Sequence, residues 1–177
     1  EGRITFASMA TEMGGIITLF PPSAEVLAFC SRARGAAVQG VYADEDAHYE
    51  RVITVNVAGV GPMVARPGHP DDAVPLAELE GQPVDSAFLG SCTDGRIGDL
   101  RAAAELLRGR KVAPGVVFKV VPATDAVWRQ ALAEGIIQVF KDAGVLVGNA
   151  GCAGCAAGQI GQNGPGEVTV STGNRNF

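Results

Sequence analysis

Three cysteines carry the most distinctive chemistry in the chain. Cys92 lies in Gly90-Ser91-Cys92-Thr93-Asp94-Gly95-Arg96, and Cys152 and Cys155 lie in Gly151-Cys152-Ala153-Gly154-Cys155. Thiolates bind soft metals or exchange disulfides, and neutral thiols simply pack. The spacing leaves four readings open. A structural zinc site wants four ligands, so His48 or His69 would have to join the three cysteines. A redox CxxC works at a helix N-terminus and has no use for Cys92. Cysteines that merely fill space are the third reading. The fourth is an iron–sulfur cluster. A 4Fe-4S cube normally takes four cysteines; with three, one iron keeps an open position and acts as a Lewis acid.

The elements around these thiols follow from pattern. Residues 7–13 suit a short helix ending at Gly14-Gly15. Glu12 sits there among small and apolar neighbours, either as a solvated carboxylate or as a partly buried acid tuned for chemistry. Ser23 is placed to cap a helix whose apolar face holds Val26, Leu27, Phe29 and Cys30, with Cys30 packing as a small hydrophobe. Residues 51–57 alternate and are β-branched, which predicts a strand. Pro62, Pro67, Pro70 and Pro75 exclude a helix or central strand over 59–75. His48 and His69 fall in loop and turn sequence, and 76–79 suits a short helix. From residue 84 the pattern changes. Apolar strands at 84–89, 116–121, 145–147 and 167–171 alternate with helical periods over 96–110, 124–132 and 136–143.

That alternation predicts an α/β fold, with mixed or mostly parallel sheets flanked by helices. Residues 1–80 read as part of one α/β domain carrying Glu12, and 81–177 as a second α/β domain, incomplete, that binds the cluster. Cys92 and Cys152 each follow a strand, and in a parallel sheet those strand ends face the same way. The fold therefore brings the thiols to one edge. The polar tail Ser171-Thr172-Gly173-Asn174-Arg175-Asn176-Phe177 follows the fourth strand.

Composition narrows the function class. Hydrophobic residues at 47% against 19% charged give enough apolar surface for a core. The net charge of −5, without a basic stripe, argues against nucleic acid as a partner. No apolar run reaches membrane-spanning length. Four cysteines, a CxxC and no secretory signal favour a reducing cytoplasm. The chain begins at Glu1 without Met and stops after Asn174-Arg175-Asn176-Phe177. Both ends read as cuts, as in an internal fragment of a longer protein.

The motifs together resemble a known family. The segment Phe88-Leu89-Gly90-Ser91-Cys92-Thr93-Asp94-Gly95-Arg96 looks like the cluster motif of the aconitase superfamily. Gly151-Cys152-Ala153-Gly154-Cys155 looks like its CxxC motif. Ser171 to Phe177 looks like its (S/T)xNRNF segment, and Ser8-Met9-Ala10-Thr11-Glu12-Met13-Gly14 resembles its N-M-x-x-E-x-G. The four occur in family order across the chain, and they are most similar to the branch of the 3-isopropylmalate dehydratase and homoaconitase large subunits.

The resemblance implies aconitase-like cluster domains and a hydro-lyase that dehydrates and rehydrates a small hydroxy di- or tricarboxylic acid such as isopropylmalate, in leucine biosynthesis. Homoaconitase, aconitase and dimethylmalate dehydratase activities are the alternatives, with a non-catalytic cluster- or zinc-binding fragment beside them. Cys92, Cys152 and Cys155 would hold a 4Fe-4S cluster. Glu12 and Arg175 would be catalytic, and Ser8, Asn174 and Arg175 would bind substrate. A small subunit or swivelling domain would supply the serine base, so the chain alone should not turn over. Two departures stand out: Ser8 and Asp94 each replace the family's Asn.

Overall fold

The computed structural model describes residues 2–154 and 158–175. The first third carries little packed structure. Helix α1 (Gly2–Ser8) leads into turns that end at Gly14-Gly15, so the helix lies about a turn earlier than the pattern suggested. Ser23 caps α2 (Ala24–Arg34) by accepting from the Val26 N–H, and Gly35, at φ 74°, closes its C-terminus. Neither helix buries a residue. Cys30 is therefore only half-buried, and Phe29 beside it is exposed.

Residues 51–57 differ from expectation. They form no strand, and Val52, Ile53, Val55 and Val57 are well exposed. Alternation makes a segment fit for a sheet, but a strand is stable only with a ladder partner; among the described residues nothing pairs with this one. Two short antiparallel strands follow, β1 (Met63–Ala65) and β2 (Ala73–Pro75). An Arg66–Asp72 ion pair clamps the connecting turn, and a 3-10 turn at Leu76–Leu79 comes next. The prolines keep β1 and β2 out of any larger sheet.

The packed part is α/β, as the alternation predicted. Its elements are β3 (Ser86–Gly90), α3 (Ile97–Leu107), β4 (Val117–Val121), α4 (Asp125–Ala133), α5 (Ile136–Ala143), β5 (Leu146–Val147) and β6 (Thr169–Ser171). The four strands form one parallel sheet in the order β5-β4-β3-β6. Thr124 caps α4 through the Val127 N–H at 3.2 Å. Gly135 and Gly144, both at positive φ, start and stop α5, a conformation that costs glycine least.

Strand alternation assigns the two faces. Leu89, Phe118 and Val120 point to the helices, where Leu100, Ala104, Ala131, Ile137 and Phe140 complete the main core. Phe88 and Val121 point the other way, onto Ala153 and Ile160. All three helices thus cover one face, and a long loop covers the other. No helix among the described residues is long and apolar enough to cross a membrane. Phe140 is fully buried at the centre of the helix layer. Phe140→Ala should cost about 3–5 kcal/mol, read as a fall in urea midpoint with unchanged m-value.

Candidate functional site

The sheet order creates a crevice. From β3 the chain steps to β4 and then β5 in one direction, and β6 returns to the opposite side of β3. Such a switch point opens a cleft beyond the carboxyl ends of the strands. The Cys92 loop leaves β3 there, and Asn174-Arg175 leaves β6 beside it.

The Cys92 loop is held tightly. Gly90 has φ 138°, and a Cβ on it would lie 2.2 Å from the Val121 carbonyl oxygen. At Gly95 a Cβ would meet the same oxygen at 2.5 Å. Both positions therefore require glycine, which lets the loop lie on the end of β4. The Gly95 N–H donates to Ser91 O at 2.9 Å, and the Ala123 N–H donates to Gly95 O at 2.8 Å. Asp99 caps α3 by accepting from the Arg96 N–H, while Arg96 Nη2 donates to the Cys92 carbonyl at 3.0 Å. Cys92 is half-buried between the buried hydroxyls of Ser91 and Thr93.

The second cysteine loop crosses the same edge. After β5, the Gly148 N–H donates to Val120 O and the Gly151 N–H to Pro122 O. The loop then passes over β4, and Ala153 buries itself on Phe88 and Val121. Cys152 is exposed, and neither it nor Cys92 is in a disulfide. Cys155 lies outside the described residues, and so does the third vertex of the expected cradle. Among the described residues no three His, Cys, Asp or Glu side chains gather as a metal site. His69 pairs with Asp71 on the turn between β1 and β2, and His48 is exposed.

The third part is acidic and basic. Thr172 splices β6 to β3: its N–H donates to Phe88 O at 3.1 Å, and its hydroxyl accepts from the Gly90 N–H at 3.1 Å and donates to Gly90 O at 3.2 Å. Three residues on, Arg175 Nε donates to Glu12 Oε1 at 2.8 Å. The Glu12 side chain is 6% exposed and that of Arg175 37%. The hydrogen bond from Arg175 holds the Glu12 carboxyl below its usual range, against the effect of burial, with Asn174 assisting. Glu12 Oε2 is buried without a hydrogen-bond partner among the described residues. Upstream, the Thr5 hydroxyl lies 3.4 Å from Thr93 O and 3.3 Å from Asp94 Oδ1. Burial, then Asp99, pushes the Asp94 carboxyl up. Ser8 ends α1 half-buried, between Thr5 and Glu12 in sequence. The segment carrying Ser8 and Glu12 thus touches both the Cys92 loop and the arm after β6. Sequence reasoning overlooked Thr5, Arg96 and Thr172; only Thr172, inside a polar run that ends a strand, carried a local signal.

A family model described as Aconitase family (aconitate hydratase) matches residues 1–83 and 76–177. The chain is 47% identical over 177 residues to a 3-isopropylmalate dehydratase large subunit of Nitratidesulfovibrio vulgaris, covering 100% of this chain and 42% of that protein. It is 46% identical, with the same coverage, to the protein of that name from Oleidesulfovibrio alaskensis. A 3-isopropylmalate dehydratase large subunit 1 of Archaeoglobus fulgidus is 44% identical over 177 residues, with 99% and 42% covered. The chain therefore spans 42% of the length of these curated relatives.

A lowered folded-state carboxyl pKa gives stability that is present above the usual 4.5 and is lost as the pH falls through the folded value. Arg175→Met should therefore raise the Glu12 carboxyl pKa and remove that acid-limb contribution. An NMR titration of Glu12 checks this, and an unchanged midpoint would contradict the pairing.

Proposed function

The chain belongs to the aconitase family, and we propose that it forms the cluster-bearing part of a hydro-lyase active site of the 3-isopropylmalate dehydratase type. The observation that carries this reading is the convergence at the β3–β6 crevice. The Cys92 loop and the Asn174-Arg175 arm are joined there through Thr172, and Glu12 closes on Arg175.

The donor set fits an iron–sulfur group. Cys92 and Cys152 are unpaired thiols on loops at one end of the sheet, and Glu12 Oε2, on the segment that meets the Cys92 loop through Thr5, is buried without a donor among the described residues. Cys92, Cys152 and Cys155 would hold a 4Fe-4S cluster. Bound by three thiolates, such a cluster supplies a Lewis-acid position for a substrate oxygen.

The remaining work falls to the chain's own side chains. The substrate class is a small hydroxy di- or tricarboxylic acid, with isopropylmalate, an intermediate of leucine biosynthesis, as the favoured member. The planar fork of Arg175 matches a substrate carboxylate. Arg175 also keeps Glu12 ionised, so Glu12 Oε2 is available to accept a hydrogen bond from the departing hydroxyl group. Asn174 supplies an amide donor and acceptor next to Arg175, and Ser8 a hydroxyl four positions before Glu12. Removing the carbon-bound proton needs a second base. The relatives named above are large subunits, so a small subunit or swivelling domain is the proposed source of that base. Cytoplasmic location belongs to the same proposal, as does a domain boundary near residues 80 and 81. The earliest residues of the two hydrophobic clusters are Leu89 and Phe88, which supports that boundary.

Anaerobic reconstitution with iron and sulfide tests the reading. A brown protein with about four irons per chain is expected, and Cys92→Ser or Cys152→Ser should lose most of that iron. A colourless, zinc-loaded protein would refute it. With the complementary subunit present, Arg175→Lys should lower kcat/KM for dehydration by about 100-fold, because the bidentate fork is lost.

A further inference from the structure

Lys119 stands in the middle of an apolar strand, Val117-Phe118-Lys119-Val120-Val121. Its neighbours Phe118 and Val120 face the helices, so Lys119 projects to the opposite face, beneath the loop that follows the Cys152 segment. Its side chain is only 9% exposed. Burying an ammonium group is costly unless it is paired and bonded, and an apolar residue of similar size is often the more stable choice. Packing alone therefore does not account for a lysine here.

Its contacts lead to the cysteines. Lys119 Nζ donates to the Gln162 carbonyl at 2.9 Å and to Glu167 Oε1 at 3.2 Å. Glu167 Oε2 accepts from the Gly164 N–H at 2.6 Å. That bond, with the Ser86 hydroxyl and Lys119, holds the Glu167 carboxyl down at about 2, so Glu167 stays ionised at neutral pH. Gln162 then reaches back. Its side-chain Nε2 donates to the Gly154 carbonyl at 2.7 Å, and the neighbouring Gly161 N–H donates to the Ala153 carbonyl at 3.0 Å. At Gly161 a Cβ would lie 2.8 Å from Ala153 O and 2.9 Å from a Phe88 ring carbon, so the two loop segments touch through glycine. Ala153 and Gly154 directly follow Cys152.

We propose that Lys119 is a positioning residue: acting through Gln162, the buried Lys119–Glu167 pair fixes the segment that carries Cys152 for cluster binding. The inference rests on the cluster reading above for its purpose, and on the Lys119–Gln162–Gly154 connection for its geometry. A cation held between the sheet and the loop that covers it thereby sets the backbone of a thiol segment without touching the thiol.

Two variants test it in the purified protein. Gln162→Met removes only the amide at an exposed position, and Lys119→Met/Glu167→Gln removes the pair without stranding a charge. In the metal-free protein, alkylation of Cys152 relative to Cys92 is followed by peptide mass spectrometry. After anaerobic reconstitution, loss of the visible cluster band to EDTA is timed. Each variant should raise the Cys152:Cys92 ratio and speed cluster loss by about tenfold, the worth of one such hydrogen bond, while Gln162→Met keeps the wild-type Tm. An unchanged ratio in both variants overturns the proposal. So does a raised ratio with an unchanged cluster lifetime, which would reduce Lys119 to a loop anchor. Failure of the cluster reading itself would appear separately, as a wild-type protein that takes up no iron.

Discussion

The hydroxyl of Thr172 bonds to both backbone groups of Gly90, and the site depends on that contact. Gly90 is where β3 stops pairing and the Cys92 loop begins; Thr172 is where β6 stops and the Asn174-Arg175 arm begins. Two neutral hydrogen bonds are worth about 1 kcal/mol each, a small sum beside the hydrophobic core. Their importance is geometric. They fix the take-off points of two arms against each other, so that Arg175 can meet a carboxylate supplied from residue 12. Thr5 closes the arrangement from the other side by reaching the backbone and side chain of the Cys92 loop.

The sheet divides its labour by alternation. One face belongs to the helices, where the larger of the two apolar clusters lies. The other face holds Phe88, Val121 and Lys119 under a glycine-rich loop. That asymmetry lets loops lie close to the strands, because glycine permits backbone approaches that any Cβ would block. The two notable acids respond in opposite senses. Glu12 gains an arginine and ionises more easily, whereas Asp94, partly desolvated and then opposed by Asp99, ionises less easily.

The α/β half was legible because each of its elements is specified locally. Residues 136–143 form α5 as expected, between glycines that only its ends require, and Thr124 caps α4 where the pattern put it. Residues 51–57 were misread because their alternation encodes compatibility with a sheet but not the presence of a neighbour. Cys30 was misread for a related reason: the apolar face of α2 meets no core among the described residues. At the site, residue types such as cysteine and the Asn174-Arg175 pair announced themselves. The contacts joining them did not, because Thr172 to Gly90 and Arg175 to Glu12 span 82 and 163 positions and depend on sheet order. Lys119 did carry a signal, a charge inside an apolar strand, that went unused.

Sheet order also sets a sequence of events during synthesis. β3 is flanked on both sides in the four-stranded sheet, yet one of its neighbours, β6, is made last of the four described strands. Until Thr169–Ser171 leaves the ribosome, β3 is an edge strand with unsatisfied backbone groups along one side. The helix-covered face can already be complete by then, because every element it needs comes earlier. The nascent chain therefore passes through a stage with a formed core, an open sheet edge and both described cysteine loops already present. Such a stage is prone to mispairing, and the arrival of a three-residue strand ends it.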